Sequence, residues 1–106
     1  MPREGQILGV VIRILGGNHI EVMSADNIRR TIRIPGKIRR RVWVRANDVV
    51  VVEPWHDVSE DNKGDLIYRY RPTEIIRLAR NKRFLTDLEN LGVEIPKQYP
   101  AEGEME

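Results

Sequence analysis

Five short runs rich in β-branched residues, punctuated by turn signals, constrain this chain more than any other feature. The first, from Ile7 to Leu15, is long for one strand, and Gly9 inside it predicts a bulge or sharp coil that turns a barrel corner. Gly16-Gly17-Asn18 tolerates positive φ and signals a hairpin. His19 to Met23 then alternates Ile20 and Val22 against His19 and Glu21, and Asp26-Asn27 makes the next turn. From Ile28 to Ile34 the isoleucines Ile28, Ile32 and Ile34 share one face and Arg29, Thr31 and Arg33 the other. That is the period of a half-buried strand with arginines outward. Arg30 falls among the inward positions and is expected near the strand end, snorkelling to solvent.

Pro35-Gly36 breaks this strand, and Lys37 to Val44 reads as either one helical turn or a structured loop. After the Asn47-Asp48 turn, the four valines from Val49 to Val52 predict a strand buried on both faces. Glu53 to Gly64 is a polar loop, and Leu66 to Tyr70 is a fifth strand with Leu66, Tyr68 and Tyr70 opposing Ile67 and Arg69. Five strands at this spacing, antiparallel through short connections, describe a mainly β fold, a small closed or nearly closed barrel.

After Arg71 the period changes. Pro72 suits the first turn of a helix and Glu74 complements its positive end. Ile75, Ile76, Leu78 and Ala79 form an apolar stripe, which Phe84, Leu85, Leu88 and Leu91 continue beyond an interruption at Asn81-Lys82, before Gly92 and Pro96 end it. The expected organisation is a barrel over residues 1–71, one broken helix or two short ones over 72–96 packed on it, and an acidic, disordered tail over 97–106.

Charge is segregated along this pattern. Arg29, Arg30, Arg33, Lys37, Arg39, Arg40, Arg41 and Arg45 stand together without an acidic residue among them. The rest of the chain holds ten Lys/Arg and sixteen Asp/Glu, so the net +2 is a +8 block set against a −6 remainder. Interleaved with Ile32, Ile34, Ile38, Val42, Trp43 and Val44, the block belongs to folded structure, and the concentrated field suits a polyanion. Guanidinium forks pair bidentately with phosphate.

Other chemistries find little support. With no cysteine there is no disulfide, thiolate metal site or thiol nucleophile, in keeping with a reducing cytosol. His19 and His56 are isolated, and the loop from Asp57 to Gly64 has Asn62 where a calcium loop needs glycine. Gly36-Lys37 lacks the upstream glycine of a phosphate-binding loop and has Ile38 where a magnesium-holding hydroxyl belongs. No acid–base pair can be assembled, so no enzyme and no cofactor are expected. No apolar run approaches the ~18 residues that cross a bilayer, and a cytoplasmic monomer is expected. The aromatics are few: Tyr68 and Tyr70 are expected in the core, Trp55 over the barrel end, and Trp43 either anchoring the basic turn or touching a ligand. Many guanidinium groups and few free rings favour phosphate and shape recognition of structured RNA over gripping an unpaired strand.

The run Ile34-Pro-Gly-Lys-Ile-Arg-Arg-Arg-Val-Trp-Val44 resembles the signature loop of the translation initiation factor 1A family. The likeness extends through Asn47 to Val52 and Lys63 to Tyr70, and back to Gly5 to Gly9, covering nearly the whole folded chain. The resemblance implies an oligonucleotide/oligosaccharide-binding (OB) barrel followed by a helical subdomain. It further implies binding to the small ribosomal subunit at the aminoacyl-tRNA site and contact with the decoding region of its rRNA. Placement of initiator tRNA and mRNA at the start codon follows through occupancy and cooperation with other initiation factors, without catalysis. The positions implied for RNA contact are Lys37, Arg39, Arg40 and Arg41, flanked by Arg33 and Arg45, with Arg69 and Arg71 on the last strand as secondary candidates; the basic block itself adds Arg29. Without the long basic and acidic tails of eukaryotic members the chain looks archaeal in type, which weakens the expectation of a tail contact with the GTPase subunit-joining factor. Two rival readings of the same surface are a general RNA chaperone of the cold-shock kind and a protein-interaction module for an acidic partner.

Overall fold

The computed structural model describes residues 3–39, 44–55 and 62–93. Its elements are β1 (Ile7–Gly16), β2 (His19–Ser24), β3 (Arg29–Arg33), the single turn α1 (Gly36–Arg39), β4 (Val49–Pro54), β5 (Lys63–Arg69), α2 (Pro72–Leu78) and α3 (Lys82–Asn90). The strands close into a barrel in the order β1-β2-β3-β5-β4. Four seams are antiparallel, as the short connections predict, but β3 and β5 pair in parallel, with Thr31 opposite Lys63 and Arg33 opposite Asp65. An all-antiparallel ring is geometrically unavailable here: strand directions cannot alternate around a closed ring with an odd number of members. The expected antiparallel barrel is therefore corrected to a mixed one.

The β4 valines divide the apolar interior into two. Val50 and Val52 point into the barrel with Val11, Ile20, Val22, Ile32, Ile34 and Leu66. Val49 and Val51 point outward, where with Leu8 and Tyr70 they meet Ile75, Phe84 and Leu88 from the helices. Burial of β4 on both faces is thus what the sequence predicts, and the second face explains why the chain has helices at all. Two helices form, as the Asn81 interruption allows. Glu74 Oε1 accepts the Arg71 N–H at the head of α2 (2.7 Å), and Asn81 Oδ1 accepts the Phe84 N–H at the head of α3 (3.1 Å). Gly92, at φ +74°, ends α3 with the Val93 N–H donating to Leu88 O and the Gly92 N–H to Glu89 O. No described helix is long and apolar enough to cross a membrane.

Three local expectations change. The β1 register shifts fall between Val11 and Arg13 and between Ile14 and Gly16, not at Gly9. Gly9 serves close approach instead: a Cβ there would stand 2.5 Å from Val22 Cγ1 and 3.1 Å from Met23 O. In β5, Val51 faces Tyr68 while Val52 faces Leu66, so Ile67 is the extra residue of a bulge. The bulge turns Leu66 into the barrel and leaves Tyr68 and Tyr70 outside it. Phe84 buries Tyr70 (ring centroids 5.5 Å apart), whereas Tyr68 remains 44% exposed, stacked edge-on against Tyr70 with its hydroxyl donating to Glu74. Arg30 does not snorkel: it is 5% exposed, and its fork grips Asp26 at 2.9 and 3.0 Å. An arginine at an inward position cannot be buried bare, and Asp26, in the turn before β3, supplies the countercharge.

Two consequences can be measured. A Cβ on Gly64 would lie 2.6 Å from Glu53 O and 3.0 Å from Pro54 Cα, both backbone atoms, so Gly64→Ala is expected to destabilise the fold by about 1–3 kcal/mol in urea titration. Gly36→Ala, with open space around it, should change little. For Asp26, burial pushes the carboxyl pKa up, but the Arg30 fork, the Ile28 N–H and the charge of Arg30 outweigh it and hold the pKa below the ordinary value. A depressed carboxylate pKa stabilises the fold above the unfolded value of about 3.9 and loses that contribution as pH falls through the folded value. Asp26→Asn should therefore destabilise by about 1–3 kcal/mol at pH 7, the half-exposed carboxylate keeping the figure low, and the gap from wild type should narrow below pH ~4.

Candidate nucleic-acid interface

The outward row of β3 carries Arg29, Thr31 and Arg33. Period-two alternation puts Ile32 in the barrel interior and these three side chains on the wall formed with β2 and β5. Arg29 and Arg33 are both exposed and stand about 13 Å apart along the strand, too far to share one phosphate but placed to take two. Arg33 is held from two sides. Its Nε and Nη2 donate to the two carboxylate oxygens of Asp65 at 2.9 and 3.3 Å, and its guanidinium lies 5.6 Å from the ring centroid of Trp55. The side chain is still 51% exposed. Nearby on the β1–β2 hairpin, Arg13 pairs with Glu21 at 2.9 Å.

Beyond β3 the chain turns over the barrel end. The Ile34 N–H donates to Asn18 O, and α1 follows with Lys37 exposed and Ile38 packed on the barrel core. Val44 packs on the same core, so apolar anchors bracket the arginine run on either side. Arg39 is the last residue of α1; its side chain, together with Arg40, Arg41 and Trp43, lies outside the described residues, as do His56, the acidic loop to Asp61 and the tail from Glu94. The chain then docks back on β1. The Asn47 N–H donates to Val11 O and the Val11 N–H to Asp48 O, while Asp48 Oδ2 accepts the Arg45 N–H at 2.8 Å and Asn47 takes φ +75°. The β1 register shift after Val11 lies beside this docking, and Arg45 is left exposed. Among the described residues, Arg29, Lys37 and Arg45 have no side-chain ion pair.

Arg69 is brought to Asp48, whose carboxylate also accepts the Arg45 N–H, rather than to Arg29 and Arg33, and Arg71 stands apart from both. Arg69 lies opposite Val50, its side chain 22% exposed, with Nη1 3.6 Å from Asp48 Oδ2 and a buried Nε that has no hydrogen-bond partner among the described residues. Arg71 is exposed at the head of α2, on the helical side of the barrel. Conversely, Trp55 was not read from sequence as part of the wall, and neither were Lys63 and Asp65. The parallel β3–β5 seam brings the latter two there across about thirty residues of chain, and only strand order could have revealed them.

A closed five-stranded mixed barrel with an arginine-bearing strand wall and two helices packed behind it is consistent with the OB class of small, loop- and strand-face binding domains. The sequence model of the family described as "Translation initiation factor 1A / IF-1" matches residues 1–91. Translation initiation factor 1A of Methanothermobacter thermautotrophicus is 48% identical over 79 residues, covering 74% of this chain and 79% of that one. That of Pyrococcus abyssi is 43% identical over 90 residues, covering 81% and 79%. That of Picrophilus torridus is 43% identical over 79 residues, covering 74% and 71%. The chain therefore belongs to the translation initiation factor 1A family, whose members are non-catalytic translation factors, and its relatives here are archaeal.

The clamp on Arg33 gives a direct test of the wall. Asp65→Asn removes the competing carboxylate while leaving Trp55 in place, and is expected to elute from heparin at higher salt than wild type. Arg33→Ala is expected to elute earlier.

Proposed function

We propose that the β3 wall and the turn through α1 dock this factor on the small ribosomal subunit at the aminoacyl-tRNA site, against the decoding region of its rRNA. The observation that carries the reading is the outward row of Arg29 and Arg33 on β3, followed along the chain by exposed Lys37 and exposed Arg45 on either side of the arginine run. Family membership supplies the ribosome as the setting. In this reading Arg39, Arg40 and Arg41 extend the same surface between the Ile38 and Val44 anchors. Initiator tRNA and mRNA are affected indirectly, by occupancy of the site and cooperation with other initiation factors in the cytoplasm.

The barrel contributes rigidity and the guanidinium groups contribute phosphate contacts, so affinity should depend steeply on salt. With about six phosphates neutralised, the log–log slope of the association constant against salt is expected near −4 to −5. Co-sedimentation with purified small subunits, with and without tRNA at the aminoacyl site, measures both affinity and location. Arg39→Ala/Arg40→Ala is expected to weaken binding with little loss of thermal stability, and tRNA is expected to compete. Wild-type affinity in that variant, or indifference to tRNA, would count against the reading.

A further inference from the structure

We propose that the corner between α2 and α3 is a second RNA-binding surface, gripping the phosphate backbone of an RNA segment distinct from the one that faces β3. The inference rests on the ribosome-docking reading for the identity of its ligand. Its physical ground is separate. Arg77, Arg80, Lys82 and Arg83 fall within seven residues without an intervening carboxylate, and all four are exposed. None makes an ion pair among the described residues. Arg3 joins them from the other end of the chain: it lines the cleft that Arg77 lines beside Tyr68 and Glu74, and also the cleft that Arg83 lines beside Phe84.

The nearby carboxylates do not cancel this charge. Asp26 is paired with Arg30, and Glu74, which accepts from the Arg71 N–H and the Tyr68 hydroxyl, keeps its charge but offsets only one of the five cations Arg3, Arg77, Arg80, Lys82 and Arg83. Asp87 is half-buried and Glu89 lies further along α3, away from the corner; Glu4 is exposed beside the second cleft. The first turn of α3 has no acidic residue, although Lys82 and Arg83 stand at the helix end where cations are disfavoured. Phe84 and Leu88 account for the burial of α3, so packing does not require these cations.

Barrel order sets where the corner lies. The neighbours of β3 are β2 and β5, whereas the helices pack on Leu8 of β1 and on Val49 and Val51 of β4. β3 itself carries none of the helical packing, although its neighbour β5 contributes Ile67 to the helical core and Tyr68 to the cleft beside Arg77, so the corner is offset from the β3 row rather than part of it. Three of the four corner cations are arginine, which suits phosphate forks, and an RNA-rich binding site offers phosphates on more than one side of a small protein.

The test uses the full chain and two probes, intact small subunits and deproteinised small-subunit rRNA, each titrated across a salt series. Arg80→Ala/Lys82→Ala/Arg83→Ala is expected to lower affinity for both probes about ten-fold or more and to make the salt slope shallower by about 2 to 3. Arg80→Gln/Arg83→Gln, a milder change for use should the triple variant unfold, is expected to show about two-thirds of that slope change. Unchanged affinity and slope on both probes would overturn the proposal. Loss on intact subunits alone would overturn it too, because the corner would then meet a protein. Arg29→Ala/Lys37→Ala/Arg45→Ala, run in parallel, separates the two readings. If only this variant loses binding, the corner falls and the β3 wall stands; if only the corner variants do, the converse holds.

Discussion

At Gly64 the backbone of β5 passes so close to Glu53 and Pro54 of β4 that no side chain could stand between them, while its other edge pairs with Ile32 of β3. The rest of the molecule depends on that double contact. It closes the ring, and closure with five strands forces the one parallel seam. The seam in turn sets Asp65 beside Arg33 and Lys63 beside Thr31, so the composition of the basic wall follows from a backbone packing requirement on the far side of the strand. An open sheet with the same residues would leave β3 an edge and its arginines unconstrained.

The second organising element is β4. A strand whose four valines are all buried needs apolar partners on two sides, and the barrel supplies only one. The helices supply the other through Ile75, Phe84 and Leu88, with Tyr70 bridging from the end of β5. Barrel and helical segment are thus joined by a shared core, which gives the α2–α3 corner a fixed orientation relative to β3.

Much of this was legible in the sequence because it depends on local periodicity. The alternation of Ile20, Val22 and Ile32, the double burial of β4, the helix break at Asn81 and the cap at Gly92 are all short-range signals. What the sequence hid depends on register between distant segments. The Ile67 bulge against β4 moved Tyr68 out of the core; the Arg30–Asp26 pair, by contrast, spans only four residues and was missed because an inward arginine was expected to reach solvent rather than a local carboxylate. Within the candidate site, Arg29 and Arg33 were readable from period two, whereas the diversion of Arg69 to Asp48 was not, because that contact requires β4 and β5 to be paired first. Family resemblance singled out the loop, most of whose arginines lie outside the described residues, and carried no information about which arginines already hold a carboxylate.

Arg33 stands between Asp65 and Trp55 with its guanidinium already holding a carboxylate. Under the proposed docking, an incoming phosphate would gain only the difference between its own pairing with the fork and the pairing it displaces. A ligand at this position would have to offer the fork a bidentate partner at least as good as the carboxylate it displaces. In the proposed docking, the resident acid would be an internal competitor for the arginine, raising the threshold that any phosphate must meet.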